Sequence, residues 1–158
     1  MRYRTALALA LLVAAGGACS KDEKPKTAEK FVHDLRPGDC LNGTAIAPKN
    51  AKKGEVNALV VASLPCSESH EKEVFAVFDY PTAPGGPFPG ENVVAKAAQD
   101  GCADRFAAYV GHPFGDSDLR VAVIAPGPLL WDKNERAIVC TLGGNNTPLK
   151  GSKRVGAG

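Results

Sequence analysis

Pro65 to Phe75 reads PCSESHEKEVF. Cys66 and His70 stand four residues apart, with Glu68, Glu71 and Glu73 around them. These residue types suit three chemistries: a thiol nucleophile beside an imidazole base, half of a metal site, or one end of a disulfide. A Cys-x-x-x-His spacing is not a signature of thiol catalysis, whose partners are brought together by the fold. Zinc could draw on Cys40, Cys66, His70 and His33, but no Cys-x-x-Cys or His-x-x-x-His pair accompanies them. The absence of Cys-x-x-Cys also argues against a dithiol exchanger. No metal and no cofactor is expected, and the disulfide is the favoured reading.

The segments that position these residues begin with a targeting signal. The chain opens MRYRTALALALLVAAGGACSKDEKPK. Arg2 and Arg4 precede an apolar run, Thr5 to Ala15, and small residues lead to Cys19, the layout of a secretory signal over residues 1–18. The run is shorter than the roughly 20 residues a membrane-spanning helix needs. Cys19 after Gly17-Ala18 resembles a bacterial lipobox, in which the thiol is acylated (palmitate or a similar chain) and becomes the mature N-terminus. Gly16 stands where a lipobox usually has Leu. Ordinary cleavage after Ala18 would instead release a secreted protein. Acylation gives a use to the one cysteine without a partner, and each buried CH₂ of an acyl chain contributes about 0.8 kcal/mol. The expected location is the outer face of the cytoplasmic membrane.

The whole chain carries 19 Lys and Arg against 17 Asp and Glu. Two of those cations, Arg2 and Arg4, belong to the signal, which leaves the mature chain at 17 against 17. A neutral domain without a basic stripe gives no reason to expect nucleic acid as a partner. Residues 19–30 are polar and charged and read as a lipid-anchored tether. Residues 31–158 read as one domain with a flexible C-terminal tail.

Glu55 to Cys66 is β-rich. Glu73 to Tyr80 alternates, which predicts a strand with Val74, Ala76, Phe78 and Tyr80 on one face. Pro81 to Gly90 is too rich in Pro and Gly for a helix or a central strand, and is a candidate binding loop. Glu91 to Gly111 is predicted as the one principal helix. Val94, Ala98, Cys102, Phe106 and Tyr109 form its apolar stripe, and Gly111 closes it. Gly101 in its interior costs about 1 kcal/mol relative to Ala and suits a close approach to a sheet. Leu119 to Pro126 and Glu135 to Leu142 are predicted strands, with Asn134 suited to a left-handed turn before the second. The fold class is α+β, a mainly antiparallel sheet with one helix packed on it.

Four cysteines remain in the exported domain, in a compartment that permits disulfides. Cys102 lies on the buried stripe of the helix and Cys140 on the apolar face of a strand. Packing that helix on that sheet predicts Cys102–Cys140, and the remainder pair as Cys40–Cys66. His70 is then a surface or capping residue, or a ligand contact at the rim of a binding surface. Trp131, the single tryptophan, is either a core-edge residue or a stacking platform with a nearby Arg. Both are the possible binding residues. No catalytic residue stands out: there is no Gly-x-Ser-x-Gly, phosphate loop or His-Glu-x-x-His.

Taken together, Gly38-Asp39-Cys40, Pro65-Cys66 with His70 and Glu73-Val74, Pro89-Gly90-Glu91, Cys102, Tyr109-Val110-Gly111, Trp131, Arg136, Cys140 and Gly151-Ser152 resemble the septum-formation domain of actinobacterial envelope proteins. The resemblance runs from about Asp34 to the C-terminus. Asn134 stands where that family tends to have Gly. The resemblance implies an exported or membrane-anchored domain that binds an envelope protein or cell-wall component, with no established catalytic residues. The competing class is an envelope enzyme using the Cys66/His70 region.

Overall fold

The computed structural model describes residues 27–46, 59–83 and 85–157. The signal, Cys19, most of the tether and the first part of the Glu55–Cys66 segment lie outside the described residues. Six strands form one antiparallel sheet: β1 (Ala28–Phe31), β2 (Cys40–Ile46), β3 (Val60–Leu64), β4 (Lys72–Asp79), β5 (Arg120–Ile124) and β6 (Ala137–Gly143). Their spatial order is β1-β3-β2-β4-β6-β5. Helix α1 (Glu91–Val110) packs on β4, β5 and β6, and a one-turn helix α2 (Pro128–Trp131) precedes β6. No helix among the described residues is long and apolar enough to cross a membrane.

The α1 stripe is buried as the spacing predicts: Val94, Ala98, Cys102, Phe106 and Tyr109. Gly111 ends the helix with φ 94°, and its N–H bonds the Ala107 carbonyl, the left-handed closure that glycine permits. Cys102 meets Cys140 in a disulfide with Cα atoms 5.6 Å apart, which ties helix to sheet. Asn134 adopts φ 62° ahead of β6. Gly101 faces the Phe78 ring so closely that a Cβ there would collide with it. Gly101→Ala should therefore destabilise the domain by about 1–2 kcal/mol, because overpacking outweighs the gain of about 1 kcal/mol in helix propensity. Denaturant midpoints measure this; a more stable variant would show that Phe78 moves aside freely.

Two expectations about chain limits are corrected. Ala28 to Lys30, assigned to the tether, pair with β3 as part of β1. Ladder bonds and the Lys30–Asp39 pair at 2.6 Å hold this charged segment at the sheet edge. The C-terminal segment, expected to be a flexible tail, is bound: Leu149 exchanges backbone bonds with His70, Gly151 N donates to the Cys66 carbonyl and Val155 N to the Tyr109 carbonyl.

Strand β4 carries the largest departure. Val74 opposes Thr141 while Ala76 opposes Cys140, so two steps on β4 match one on β6. Phe75 is the extra residue of a bulge, and the alternation inverts there. Ala76, Phe78 and Tyr80 share the helix-side face, as predicted, but Val74 does not. It packs on the other face with Leu35, Leu41, Val61 and Val139. Glu73, opposite Leu142, is thereby turned under the helix.

Candidate functional site

Cys66 is joined to Cys40, with Cα atoms 5.2 Å apart. The thiol that could have served as nucleophile is committed to a crosslink between β2 and the turn after β3. Cys40 is 1% exposed, and its sulfur lies near two further groups. Ligand atoms of Cys40, His70 and Glu73 all fall within 4.8 Å of one another. A disulfide sulfur lacks the negative charge with which a thiolate holds zinc, so the trio offers an imidazole and a carboxylate at most. His33 is not brought to it. Its imidazole is half exposed, stacks on Phe31 and lies 3.7 Å from Asp34.

His70 is 1% exposed, not at a surface rim. Its backbone forms the bridge to Leu149. Its Nδ1 lies 2.9 Å from the Glu68 carbonyl, an acceptor, so Nδ1 carries a proton. Nε2 has no hydrogen-bond partner among the described residues. It is buried beside the disulfide and Glu73.

Glu73 is fully buried. Oε1 accepts from the Tyr109 hydroxyl at 2.6 Å and from the Ser152 hydroxyl, and Oε2 accepts from Lys153 N at 2.7 Å. Three donors compensate a carboxylate that burial alone would make costly. Burial first, and then the bond to Glu73, hold the Tyr109 phenol well above the ordinary tyrosine range. It therefore remains a donor at neutral pH. One side chain thus joins β4, α1 and the C-terminal segment. Nearby, Gly38 N donates to the Val74 carbonyl, Val74 N to the Asp39 carbonyl, and Arg36 N to the Asp39 carboxylate. The arrangement is a clasp. It fixes three distant parts of the chain.

Trp131 lies at the core edge. It is 3% exposed, and its Nε1 donates to the Gly86 carbonyl at 2.7 Å. The Arg136 guanidinium covers its ring at 3.8 Å, and Tyr80 and Phe88 meet it edge-on. It anchors the Pro/Gly-rich loop to the domain, as the core-edge reading expected. The Tyr109–Glu73–Ser152 connection was missed in the sequence. Its signals were an acid at the head of an apolar run and a tyrosine on an apolar stripe, each needing a buried partner.

The septum formation family matches residues 37–156. The chain belongs to the septum formation family. No curated protein and no solved structure gives a significant match. The motifs that carried the resemblance gather at two places in this septum formation domain. Cys40, Cys66, His70, Glu73, Tyr109 and Ser152 build the clasp. Trp131 and Arg136 pin the loop that ends at Pro89-Gly90. Cys102 and Cys140 join helix to sheet between them.

Proposed function

We propose that this chain is an exported lipoprotein, anchored through Cys19 at the outer face of the cytoplasmic membrane, whose domain is a non-catalytic binding module acting in septum or cell-wall processes. The observation that carries this reading is the clasp. Cys66, His70 and Glu73 are the residues best suited to chemistry, and each is spent on joining β2, β4, α1 and the C-terminal segment. Two disulfides in one domain suit an oxidising compartment outside the cytoplasm, in keeping with the signal layout of residues 1–18. A crosslinked domain of this kind presents a fixed surface, which lowers the ordering cost of binding. Its partner is an envelope protein or a cell-wall component.

One experiment tests both halves. A tagged chain and its Cys19→Ala variant are expressed, and membrane and released fractions are crosslinked and purified under non-reducing conditions. Wild type is expected in the membrane fraction, with one envelope component recovered in constant proportion. Cys19→Ala is expected in the released fraction. Membrane retention of Cys19→Ala overturns the anchor. A titratable thiol at Cys66 in the unreduced, denatured protein overturns the Cys40–Cys66 crosslink on which the non-catalytic reading rests.

A further inference from the structure

The two edges of the sheet differ in how they are protected. The β1 edge is four residues long, AEKF, and carries Glu29 and Lys30. Charged residues and short length are the usual defences of an edge against pairing with another chain. The β5 edge, RVAVI, has its one charge at the first residue. Val121 to Ile124 carry no charge and no proline, and β5 keeps an unbroken register with β6 over all five residues. Among the described residues no strand lies on the other side of β5. Alternate residues there direct N–H and C=O groups outward without a strand to receive them.

Grooves flank that edge on both faces of the sheet. Toward α1 there is one of about 530 Å³, bounded by Ala95, Gln99, Ala103, Phe106 and Phe114 with β5, and no charged residue lines it. On the opposite face one of about 410 Å³ is bounded by Leu41, Val61 and Thr141 with Ala122 to Ala125, and Lys72 is the one charged residue on its lining. Phe114 is 44% exposed beside the first groove. An occupant must therefore supply an extended backbone and mainly apolar side chains that alternate between the two faces.

One strand of known sequence meets those demands: β5 itself. We propose that two copies of the chain pair antiparallel through β5, centred on Ala122. In that register Val121 opposes Val123 of the second copy and Arg120 opposes Ile124, so no like charges meet. Ala122 opposes itself, and its small side chain lets the strands close. Antiparallel pairing across one continuous sheet requires a two-fold axis perpendicular to it, which sets both α1 helices on the same face. Ala95, Gln99 and Ala103, spaced i, i+4, i+8 and exposed along the groove, then face their counterparts without bulk or charge. The interface is isologous and closes at two copies. Strand β1, where the chain arrives from the tether, lies five strand spacings away, about 24 Å along the sheet. An anchor at that end leaves the β5 edge clear. The inference rests on the reading of the domain as a binding module and names one of its surfaces.

The test uses the full chain exported with Cys19→Ala, so that acyl groups add no association of their own. Sedimentation velocity over a concentration series is expected to show a reversible transition from one to two copies. Ala122→Lys and Ala122→Glu each place like charges opposite one another and should weaken association at least tenfold. An equal mixture of the two should restore it, which a merely structural defect would not do. If circular dichroism shows either variant misfolded, the pair Ala103→Lys and Ala103→Glu on the exposed face of α1 replaces it, with the same pattern expected. A wild type that stays single at every concentration overturns the proposal, as does association indifferent to these charges or a mixture that does not recover. A single-copy chain that still retains its envelope component overturns the dimer alone. A dimer that retains none overturns the partner-binding reading alone.

Discussion

Glu73→Ala is expected to lower the unfolding free energy by about 4 kcal/mol, since it strips three buried donors of their acceptor at once. Tyr109, Ser152 and Lys153 N all donate to that carboxylate. Each buried group left without a partner costs roughly 1–3 kcal/mol, with the sum reduced by relaxation and by water entering from the Ser152 side. Against a typical total of 5–15 kcal/mol the loss is large. Ser152→Ala should cost only about 1 kcal/mol, because Oε1 keeps the Tyr109 bond. Chemical denaturation measures both. Hydrogen exchange adds the location: the amides of Lys153 and Val155, bonded to Glu73 and to the Tyr109 carbonyl, should lose protection first. A Glu73→Ala protein within 1 kcal/mol of wild type would show that the carboxylate is not a keystone of the clasp.

The second large effect belongs to the disulfides. Replacing Cys102 and Cys140 together by Ala, which leaves no unpaired thiol, opens a loop of 38 residues. In the chain-entropy description this costs about 4 kcal/mol. For a domain of this size that corresponds to a fall in Tm of roughly 12–16 °C. Replacing Cys40 and Cys66 opens 26 residues and should cost about 3.5 kcal/mol by the same reasoning, and it also loosens the His70–Leu149 bridge beside it. Scanning calorimetry of the two double variants checks the order. A change below 1 kcal/mol in the Cys102/Cys140 variant would place the stability in packing and not in the crosslink.

The parts that were legible in the sequence share a property: their pattern can be counted along a single element. The α1 stripe repeats at helical spacing, and every residue of it is buried where expected. From that stripe and the apolar face of β6 both disulfides followed. Gly111 and Asn134 announce turns that only their own backbones must satisfy. Strand β1 was not legible, because AEKF has no alternation of its own and is a strand only through its pairing with β3. Nor was the Phe75 bulge, since the count of residues on β4 has meaning only against the register of β6.

The clasp shows the same division more sharply. The sequence by itself determined that the domain is α+β, that Cys102 meets Cys140 and Cys40 meets Cys66, and that it belongs among septum formation domains. Helical period, strand period and cysteine parity are local counts, and burial of apolar faces makes them binding. Only the tertiary structure decided where His70 and Glu73 point and what becomes of the C-terminal segment. A single extra residue at Phe75 inverts the faces of β4 and carries Glu73 from one side of the sheet to the other. Once there, a buried carboxylate must find donors, and those available come from Tyr109, 36 residues away, and from Ser152 and Lys153, 79 and 80 away. That long-range demand draws in a segment whose composition reads as a free tail and makes it the closing piece of the domain.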